Sequence, residues 1–538
     1  MAYWAFEIAD KIIEKNPNKE EYICAAGISP SGSVHIGNFR DIATSYFVVR
    51  ALRARGKKAK LLFSWDDFDR LRKVPVNVQA ITTGFEENVG RPYTMIKNPY
   101  DDGESSYGRH FEAEFEKSLK EIGAWPDIVR RQTENYTSGM YREQIKLALE
   151  KRKQIYDIMM SFKTQDANEN DRENYYPISV YCEHSLKDNT KVTSYDEKTG
   201  ELKFYCEDCK EEHVVNINTY NLIKLVWKVD WPMRWKQEGV DFEPGGIDHA
   251  SANGSYDVAT VIAKEIFGID APIFQGYGWL GIRGLVSSMH SSSGMNITPS
   301  KVLEIFEPEI IRWLFAKYRP EDSFDFAFDD VTIRLYSEFD KWLANYKLGA
   351  LNETESQIME MVFDNPKAEP EKTAFGILSS VGPIVNYNAD MVKKALKKAG
   401  FEFGDESLNR LEKAKNWIET YNPSKNFKLL SEFNKDYYDT LTDFDKDVVA
   451  KLVEYVENND FTEKEIQQFL YNIINDETAS KKENIERQKV QFKNLYNMLF
   501  GLDAGPRLYL YLSAVDKNKY IKLLKRWFNN HKTKISVF

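Results

Sequence analysis

The chain has 538 residues, enough for about three or four domains and a large core. Its hydrophobic content of 42% and charged content of 29% are typical of an ordinary globular protein. The net charge of -10 argues against nonspecific nucleic-acid binding, although local basic faces could still contact RNA phosphates.

The cysteine content and the N-terminus indicate a compartment. Four cysteines are too few for a disulfide framework, which favours a reducing environment. The first 18 residues are too charged for a signal peptide, and no apolar run approaches the length of a membrane span. We therefore expect a cytoplasmic protein.

The stretch at residues 23–41 is the most informative of the chain. Residues 23–28 are apolar and predict a strand, a Ser/Pro/Gly turn follows at 29–33, and apolar periodicity from His35 to about Arg55 predicts a helix. The backbone N–H groups of such a turn and the start of a helix both favour phosphate oxygens. For H-I-G-N alone, a tight turn with an N-capping serine would be the preferred interpretation.

A second core strand is predicted at residues 60–65. Asp66, Asp67 and Asp69 follow it, at the strand end where open α/β sheets hold ligands. These carboxylates could bind a substrate amine or form a solvated turn beside neighbouring basic residues, and the sequence supports both interpretations equally.

Three of the four cysteines lie near one another in the sequence. Cys206 and Cys209 form a C-x-x-C pair, and Cys182 and His184 stand upstream of a predicted β-hairpin at residues 192–205. Three sulfurs and one imidazole would complete a tetrahedral structural Zn²⁺ site.

Two details leave the metal assignment open. A typical second knuckle would have a cysteine at Ser185, and His213 competes with His184 as the fourth ligand. The alternative is three reduced cysteines that bind nothing; we favour zinc because the cysteines converge on two knuckles.

Aromatic and glycine-rich segments follow. Three tryptophans within residues 227–235 could be packing residues or a wall for a long aliphatic amine. Residues 242–257 include a Gly-Gly pair, then Asp248, which could accept hydrogen bonds from ribose hydroxyls or an ammonium group, and His249. A helix is predicted at 256–267 and a strand at 271–280.

The composition changes near Asn352. Residues 364–371 have the character of a linker, and the remainder is predicted to be helical. The strongest helix lies at 461–476, where Thr462 and Glu465 form a capping box. Late lysines and arginines cluster before and after a Gly/Pro turn at 501–508; each cluster alone is more typical of a solvated face.

Several segments together resemble one family. P-S-G-S-V-H-I-G-N at 30–38 resembles a version of the H-I-G-H motif of class I aminoacyl-tRNA synthetases. Residues 64–75, 227–235 and 246–251 are similar to further motifs of the class I lysyl-tRNA synthetases, and the likeness continues to about Asp340. The chain thus resembles that family over most of its length.

The resemblance implies an α/β fold: a doubly wound, Rossmann-like class I synthetase catalytic domain with a zinc-bearing insertion, then an all-α anticodon-binding domain. The expected bounds are 1–285 for the catalytic domain, about 90–220 for the insertion, 286–351 for the signature loop and stem-contact region, and 352–538 for the all-α domain.

The resemblance also implies the chemistry. Lysine would be activated by ATP with Mg²⁺ and passed to the terminal ribose of tRNA(Lys), by a protein expected to be a monomer. His35 and Asn38 would be catalytic. The family's ATP-binding positions correspond here to Pro30, Ser31, Gly32, His35, Gly37, Asn38, Asp248, Met289, Ser291, Ser292, Ser293 and Gly294. Its lysine-binding positions correspond to Gly27, Ser29, Asp66, Trp227, His249 and Tyr277.

The signature loop departs from the family pattern. The family has K-M-S-S-S-K-G, whereas residues 288–294 read S-M-H-S-S-S-G, so that Ser288 and Ser293 replace both lysines. Arg283 or Lys301 could supply the missing positive charge. Otherwise hydroxyl groups, backbone N–H groups and His290 would act in its place.

Three alternatives remain. A class I synthetase for glutamate would need a cation where this chain has Asp66 and Asp67. A nucleotidyltransferase that does not use tRNA would not need so large a helical domain. A noncatalytic RNA-binding paralogue is suggested only by the altered signature loop.

Overall fold

The computed structural model describes residues 3–163, 168–251, 253–283 and 297–525. They form two compact units. The sheet unit comprises Met1–Leu303, Pro308–Phe326 and Asn345–Pro366, and the helical unit comprises Glu304–Glu307, Ala327–Ala344 and Lys367–Phe538. Met289 and residues 291–294, which we expect to bind ATP, lie outside the described residues.

The strands fall almost entirely within the sheet unit. They are β1 (Glu21–Ile28), β2 (Lys58–Trp65), β3 (Ile128–Arg131), β4 (Ile178–Val180), β5 (Thr190–Tyr195), β6 (Glu201–Cys206), β7 (Glu211–Asn216), β8 (Ile223–Leu225), β9 (Phe242–Gly246), β10 (Ile273–Tyr277), β11 (Leu280–Arg283) and β12 (Phe324–Ala327).

A parallel five-stranded sheet forms the core of this unit, in the order β10-β9-β1-β2-β3. Strands β1 and β2 are nearly continuous apolar runs because a parallel sheet is buried on both faces. Gly27 and Ile28 pair with Ser64 and Trp65, so the carboxyl ends of β1 and β2 lie at one edge. The α/β fold and the strands predicted at 23–28 and 60–65 are confirmed. The strand predicted at 271–280 is shorter, since β10 ends at Tyr277 and Leu280 begins the separate strand β11.

Helices cover the sheet and build the helical unit. The α-helices are α1 (Trp4–Lys15), α2 (Phe39–Ala54), α3 (Val76–Gln79), α4 (Tyr107–Ile122), α5 (Gln132–Thr137), α6 (Arg142–Glu150), α7 (Arg152–Ser161), α8 (Glu169–Glu173), α9 (Trp227–Glu238), α10 (Ser255–Glu265), α11 (Pro299–Leu303), α12 (Pro308–Lys317), α13 (Val331–Lys347), α14 (Glu353–Val362), α15 (Phe375–Val381), α16 (Ala389–Lys398), α17 (Leu408–Asn416), α18 (Lys435–Asp439), α19 (Asp443–Asn458), α20 (Glu463–Ile474), α21 (Lys481–Phe500), α22 (Leu508–Ala514) and α23 (Lys517–Lys525).

The helix after the first turn begins later than predicted. It starts at Phe39 and not at His35, because His35 to Asn38 form a separate turn in which the Asn38 N–H donates to the His35 carbonyl at 2.9 Å. A Cβ on Gly37 would lie 2.8 Å from Nδ1 of His35, so glycine makes room there for the imidazole.

The chain between β3 and β9 contains the predicted hairpin. Strands β5, β6 and β7 form an antiparallel three-stranded sheet, in which β5 and β6 match the hairpin predicted at 192–205. Leu202, Phe204 and Cys206 on alternate positions of β6 are buried. Cys206 therefore lies on the packed face of this small sheet.

The helical unit confirms the predicted capping box. The Thr462 hydroxyl accepts from the Glu465 N–H at 3.3 Å, and the Glu465 carboxylate accepts from the Thr462 N–H at 2.7 Å. Ile466, Leu470 and Ile474 are buried along one face of α20. Across the described residues, the helices are too short or too polar to span a bilayer.

Candidate active site

A cavity of about 760 Å³ opens at the carboxyl ends of β1, β2, β9 and β10. This is the edge at which open α/β sheets bind ligands. Its walls are formed by the turn after β1, the start of α2, the residues after β2, one side of α9, and the residues that follow β9 and β10. The wall residues are Gly27, Ile28, Ser29, Ser31, Gly32, Ser33, Val34, His35, Gly37, Asn38, Asp41, Asp66, Asp69, Arg72, Trp227, Trp231, Arg234, Glu243, Pro244, Gly245, Gly246, Ile247, Asp248, His249, Tyr277, Gly278, Trp279 and Leu280.

The turn that carries His35 is fixed by a long-range contact. The Ile36 N–H donates to the Ile297 carbonyl at 2.8 Å. Ile297 is the first described residue after the segment that includes the signature loop, and β11 ends at Arg283 on the other side of that segment. The chain therefore re-enters the described structure directly beside the H-I-G-N turn.

Asp41, in the first turn of α2, lines the cavity beside the end of β1. One carboxylate oxygen accepts from the Gly27 N–H at 3.1 Å, and the other accepts from the Tyr277 hydroxyl at 3.0 Å. Its side chain is packed so that Asp41 is only 7% exposed. Burial and the nearby Glu243 carboxylate raise the pKa of Asp41 well above its usual value.

Arg234 of α9 is the central cation of the site. It donates to Asp66 at 2.7 Å and to the Ser64 hydroxyl at 3.2 Å, and it lies 3.2 Å from the Asp230 carboxylate. Although burial opposes its charge, Asp230 and Asp66 raise its pKa. Asp66 is therefore buried and already paired, so the solvated-turn interpretation does not describe it.

Glu243 presents a second carboxylate to the cavity, from β9. It accepts from the indole N–H of Trp235 at 2.5 Å. Burial raises the pKa of Glu243 to about 7, against the opposing effect of Arg234. Within the described part of the chain, neither Glu243 nor Asp41 lies within 4.0 Å of a lysine or arginine nitrogen.

Aromatic side chains close one side of the cavity. Trp227 and Trp231 stack with ring centroids 5.2 Å apart, and the Trp231 ring lies 6.0 Å from that of His249. The Arg234 guanidinium lies 5.3 Å from the centroid of the Trp227 ring. The tryptophans thus serve both as packing residues and as cavity wall.

The backbone after β9 passes close to β10. A Cβ on Gly245 would lie 2.8 Å from the Phe274 ring, so only glycine fits there without displacing it. Asp248 and His249 follow in a turn that leaves the side chain of Asp248 70% exposed. Both residues line the cavity, as their place after a parallel strand predicts.

Most of the predicted site residues meet at this cavity. Pro30 does not line it, although Ser29 and Ser31 on either side do. The residues that line it are Gly27, Ser29, Ser31, Gly32, His35, Gly37, Asn38, Asp66, Trp227, Asp248, His249 and Tyr277. The roles assigned to each of these side chains remain predictions.

Sequence reasoning missed three charged residues of the wall: Asp41, Arg234 and Glu243. Each lies inside a predicted helix or in an apolar segment, where a charge suggests only a solvated position. All three belong to segments already singled out, but the partners of Asp41 and Arg234, which are Tyr277 and Asp66, are more than 160 residues away in the chain. Contacts between residues so far apart in the chain can be identified only from the structure.

Carboxyl groups outnumber cations in the wall, and burial raises the pKa of Asp41, Asp66 and Glu243 among them. Five carboxylates line it, from Asp41, Asp66, Asp69, Glu243 and Asp248, against the guanidinium groups of Arg72 and Arg234. Lys224 forms an ion pair with Asp69. The cavity is therefore suited to a ligand that brings a positive charge.

A separate cluster gathers the predicted metal ligands. The sulfurs of Cys182, Cys206 and Cys209 all lie within 4.8 Å of one another, with Cys182 and Cys209 at 3.6 Å. Zinc–sulfur bonds of about 2.3 Å in a tetrahedron place sulfurs about 3.8 Å apart. The described sulfur positions fit such an ion.

The two candidate histidines are placed differently. The Nε2 atom of His213 lies 3.7 Å from the Cys182 sulfur, whereas the side chain of His184 is 58% exposed and lies 3.7 Å from Glu183. His184, His213 and Cys209 also form a group within 4.8 Å. Both imidazoles are near the sulfurs, and His213 is the more deeply placed.

Comparison with known proteins shows the family to which the chain belongs. The family model described as "tRNA synthetases class I (K)" matches residues 2–365. The chain belongs to this family of class I tRNA synthetases.

Curated relatives cover the whole chain. The lysine–tRNA ligase of Borreliella burgdorferi is 34% identical, with 98% of this chain and 99% of the relative covered. Those of Thermococcus kodakarensis and Pyrococcus furiosus are 35% and 32% identical, at the same coverage. The likeness to these relatives therefore extends over most of the chain after residue 365, where the match to the family model ends.

Proposed function

We propose that the protein is a lysine–tRNA ligase that uses ATP to join lysine to the terminal ribose of tRNA(Lys). The observation that carries this proposal is the cavity itself, which combines a P-S-G-S-V-H-I-G-N turn with a wall rich in carboxylates. The relatives named above, which are lysine–tRNA ligases, support the same substrate. A glutamate-specific site would need a cation inside the cavity. Arg234 is already engaged by Asp66 and Asp230, and Arg72, the other guanidinium of the wall, is an exposed residue.

ATP would bind at the turn after β1. The Ser31 and Gly32 backbone, the His35 imidazole and Asn38 line this part of the cavity and offer donors to phosphate oxygens. Asp248, largely exposed after β9, would accept hydrogen bonds from the ribose hydroxyls. Mg²⁺ would accompany the nucleotide and neutralise phosphate charge.

Lysine would occupy the acidic part of the cavity. Gly27, Ser29, Trp227, His249 and Tyr277 would form its walls, as the family resemblance implies. We assign the ammonium contacts to Asp41 and Glu243, because Asp66 is compensated by Arg234 while these two carboxylates meet only neutral donors in the described structure. Buried carboxylates without a cation are costly, and a bound ammonium would offset that cost.

The activation step needs no general base. An oxygen of the lysine carboxylate, already a nucleophile, attacks the α-phosphorus of ATP and displaces pyrophosphate. A terminal ribose hydroxyl of tRNA then attacks the carbonyl carbon of the adenylate, loses its proton and releases AMP. The protein contributes positioning and stabilisation of the phosphate charge, in which we assign His35 the central part.

The altered signature loop needs another source of positive charge. Arg283 ends β11 and Lys301 lies in α11, on either side of the segment that contains the loop. We propose that one of them contacts the leaving pyrophosphate. Hydroxyl and backbone donors of the loop would supply the remaining contacts.

We further propose one structural Zn²⁺, held by Cys182, Cys206 and Cys209 with His213 as the fourth ligand in preference to His184. The separations of the sulfurs and the His213 nitrogen support this set. The all-α region from about Asn352 would read the anticodon, and the enzyme would act as a cytoplasmic monomer.

Lysine-dependent exchange of pyrophosphate into ATP tests this function. The wild-type protein should catalyse it in the presence of tRNA(Lys), which several synthetases resembling this one require. His35→Ala should lower kcat by about 10²–10³-fold, since it removes a donor to the transition-state phosphate, with the melting temperature unchanged. Near-normal turnover of the variant would exclude the assigned role of His35, and lack of lysine-dependent exchange in the wild type would contradict the function.

A further inference from the structure

We infer that one face of α16 is an RNA-contacting surface that binds the phosphate backbone of tRNA. We call it the α16 lysine face, and it consists of Lys393, Lys394, Lys397 and Lys398. The inference rests on the proposed function and adds to it a specific contact surface in the helical unit. The evidence is a local concentration of positive charge that no described carboxylate neutralises.

The geometry of α16 gathers these lysines on one side. At about 100° per residue, positions 393, 394, 397 and 398 fall within an arc of about 140°. Val392, Ala395 and Leu396 occupy the opposite arc and are buried in the helical unit. All four lysines are exposed, and neighbours three or four residues apart have Cβ atoms about 5–6 Å from one another.

The residues before α16 fix the start of the helix. The Asn388 side chain accepts from the Met391 N–H at 3.0 Å and caps the helix. Asn386 and Tyr387 both have positive φ, at 50° and 55°, in the turn that precedes it. The turn and the buried apolar arc together hold the lysine face in a fixed direction on the helical unit.

The four lysines of the α16 lysine face lack acidic partners among the described residues. None of its four ammonium groups lies within 4.0 Å of a described carboxylate. Lys481, Lys482, Lys519 and Lys522 of the late basic clusters lack such partners as well, but six other basic residues of those clusters are paired. Four lysines of the late clusters are paired with an acid: Lys489 with Glu486, Lys493 with Asp503, Lys517 with Asp460 and Lys525 with Glu457. Arg487 and Arg507 are also paired, with Asp476 and Glu463.

Lysines near the C-terminus of a helix also interact favourably with the helix dipole. One or two would satisfy that effect, whereas this helix has four in six residues, within a chain of net charge -10. An amphipathic helix that inserts into a membrane surface has an exposed apolar face beside the basic one, whereas Val392, Ala395 and Leu396 of α16 are buried. In a tRNA ligase, the polyanion that would bind the α16 lysine face is the RNA backbone.

Salt-dependent binding of tRNA(Lys) transcript by filter retention tests the inference. The test variant changes Lys393, Lys394, Lys397 and Lys398 to Gln, which has a similar helix propensity. Its Kd should rise at least about tenfold at 0.1 M salt, and the slope of log Kd against log salt should fall by about 3, because each lost phosphate contact contributes about 0.7–0.9. Changing all four to Arg should restore both values.

A matched control removes the same charge from paired lysines. Changing Lys489, Lys493, Lys517 and Lys525 to Gln alters the net charge equally and should change the slope by less than about 1. Equal effects in the two variants, or unchanged binding in the α16 variant, would overturn the inference. Binding of phosphatidylserine vesicles through these lysines, without an effect on tRNA, would also overturn it. Lysine charging by the wild type reports on the proposed function separately, so failure of one does not imply failure of the other.

Discussion

The buried carboxylates of the cavity give the site its character. Asp41 accepts from Gly27 and Tyr277, and Glu243 accepts from Trp235, so both carboxyl groups are oriented, but neither has a described lysine or arginine nitrogen within 4.0 Å. Arg234 instead neutralises Asp66, the residue to which the sequence directs attention first. The preference for a cationic substrate therefore arises from residues that have no distinguishing sequence pattern.

The pKa of Glu243 makes lysine binding sensitive to pH. Because burial raises that pKa to about 7, the carboxyl is mainly protonated at pH 6 and mainly ionised at pH 8. Asp41, Asp66 and Arg234 face it. An ammonium ligand binds the ionised form, so the KM for lysine should fall by about tenfold between these pH values. Steady-state kinetics at fixed ATP and tRNA measure this.

Two variants separate this effect from general pH dependence. Glu243→Gln should raise the KM for lysine and flatten its change with pH. Glu265→Gln, at an exposed position of α10, is the control and should behave as the wild type. If Glu243→Gln keeps the full change in KM, another group titrates and the assignment is wrong.

Individual elements differ in how far the sequence predicts them. The strands at β1 and β2 are apolar runs bounded by turn residues, and α20 has a capping box and a clear apolar face, so local pattern was sufficient. The start of α2 was wrong by four residues because the H-I-G-N turn, held by Ile297, replaces the first helical turn. Likewise the sequence favours His184 as the fourth ligand, with His213 as its competitor, since only the fold of β6 and β7 brings His213 to Cys182.

The β5–β7 sheet should depend on zinc for its stability. Purified protein should contain about one zinc per chain by metal analysis. Structural zinc contributes on the order of 10 kcal/mol to a small module, so Cys206→Ser should lose the metal and expose residues 178–225 to proteolysis. Cys24→Ala, which removes the cysteine of β1, should retain the metal.

Two histidine variants identify the fourth ligand. His213→Ala should weaken zinc binding far more than His184→Ala, measured by competition with a chelator. The reverse order would restore His184 as the ligand. Fully active protein without metal would contradict a structural zinc site altogether.

At the scale of the whole molecule, the acidic cavity and the α16 lysine face lie in different units of the chain. The sheet unit contains the acidic cavity at the carboxyl ends of its parallel strands. The helical unit contains the α16 lysine face, whose four ammonium groups lack carboxylate partners in the described structure, with Lys398 lying over the Phe461 ring. This division is what a tRNA ligase requires, because its small substrate is a cation and its large substrate is a polyanion.

The most direct test is aminoacylation of total tRNA with each standard amino acid in turn. The acidic cavity predicts that lysine is attached to tRNA in an ATP-dependent reaction and that glutamate is not. Because Arg234 is occupied and five carboxylates line the wall, a side-chain carboxylate would meet repulsion where an ammonium group finds a partner. Attachment of glutamate or another amino acid in place of lysine, or of none, would contradict the account.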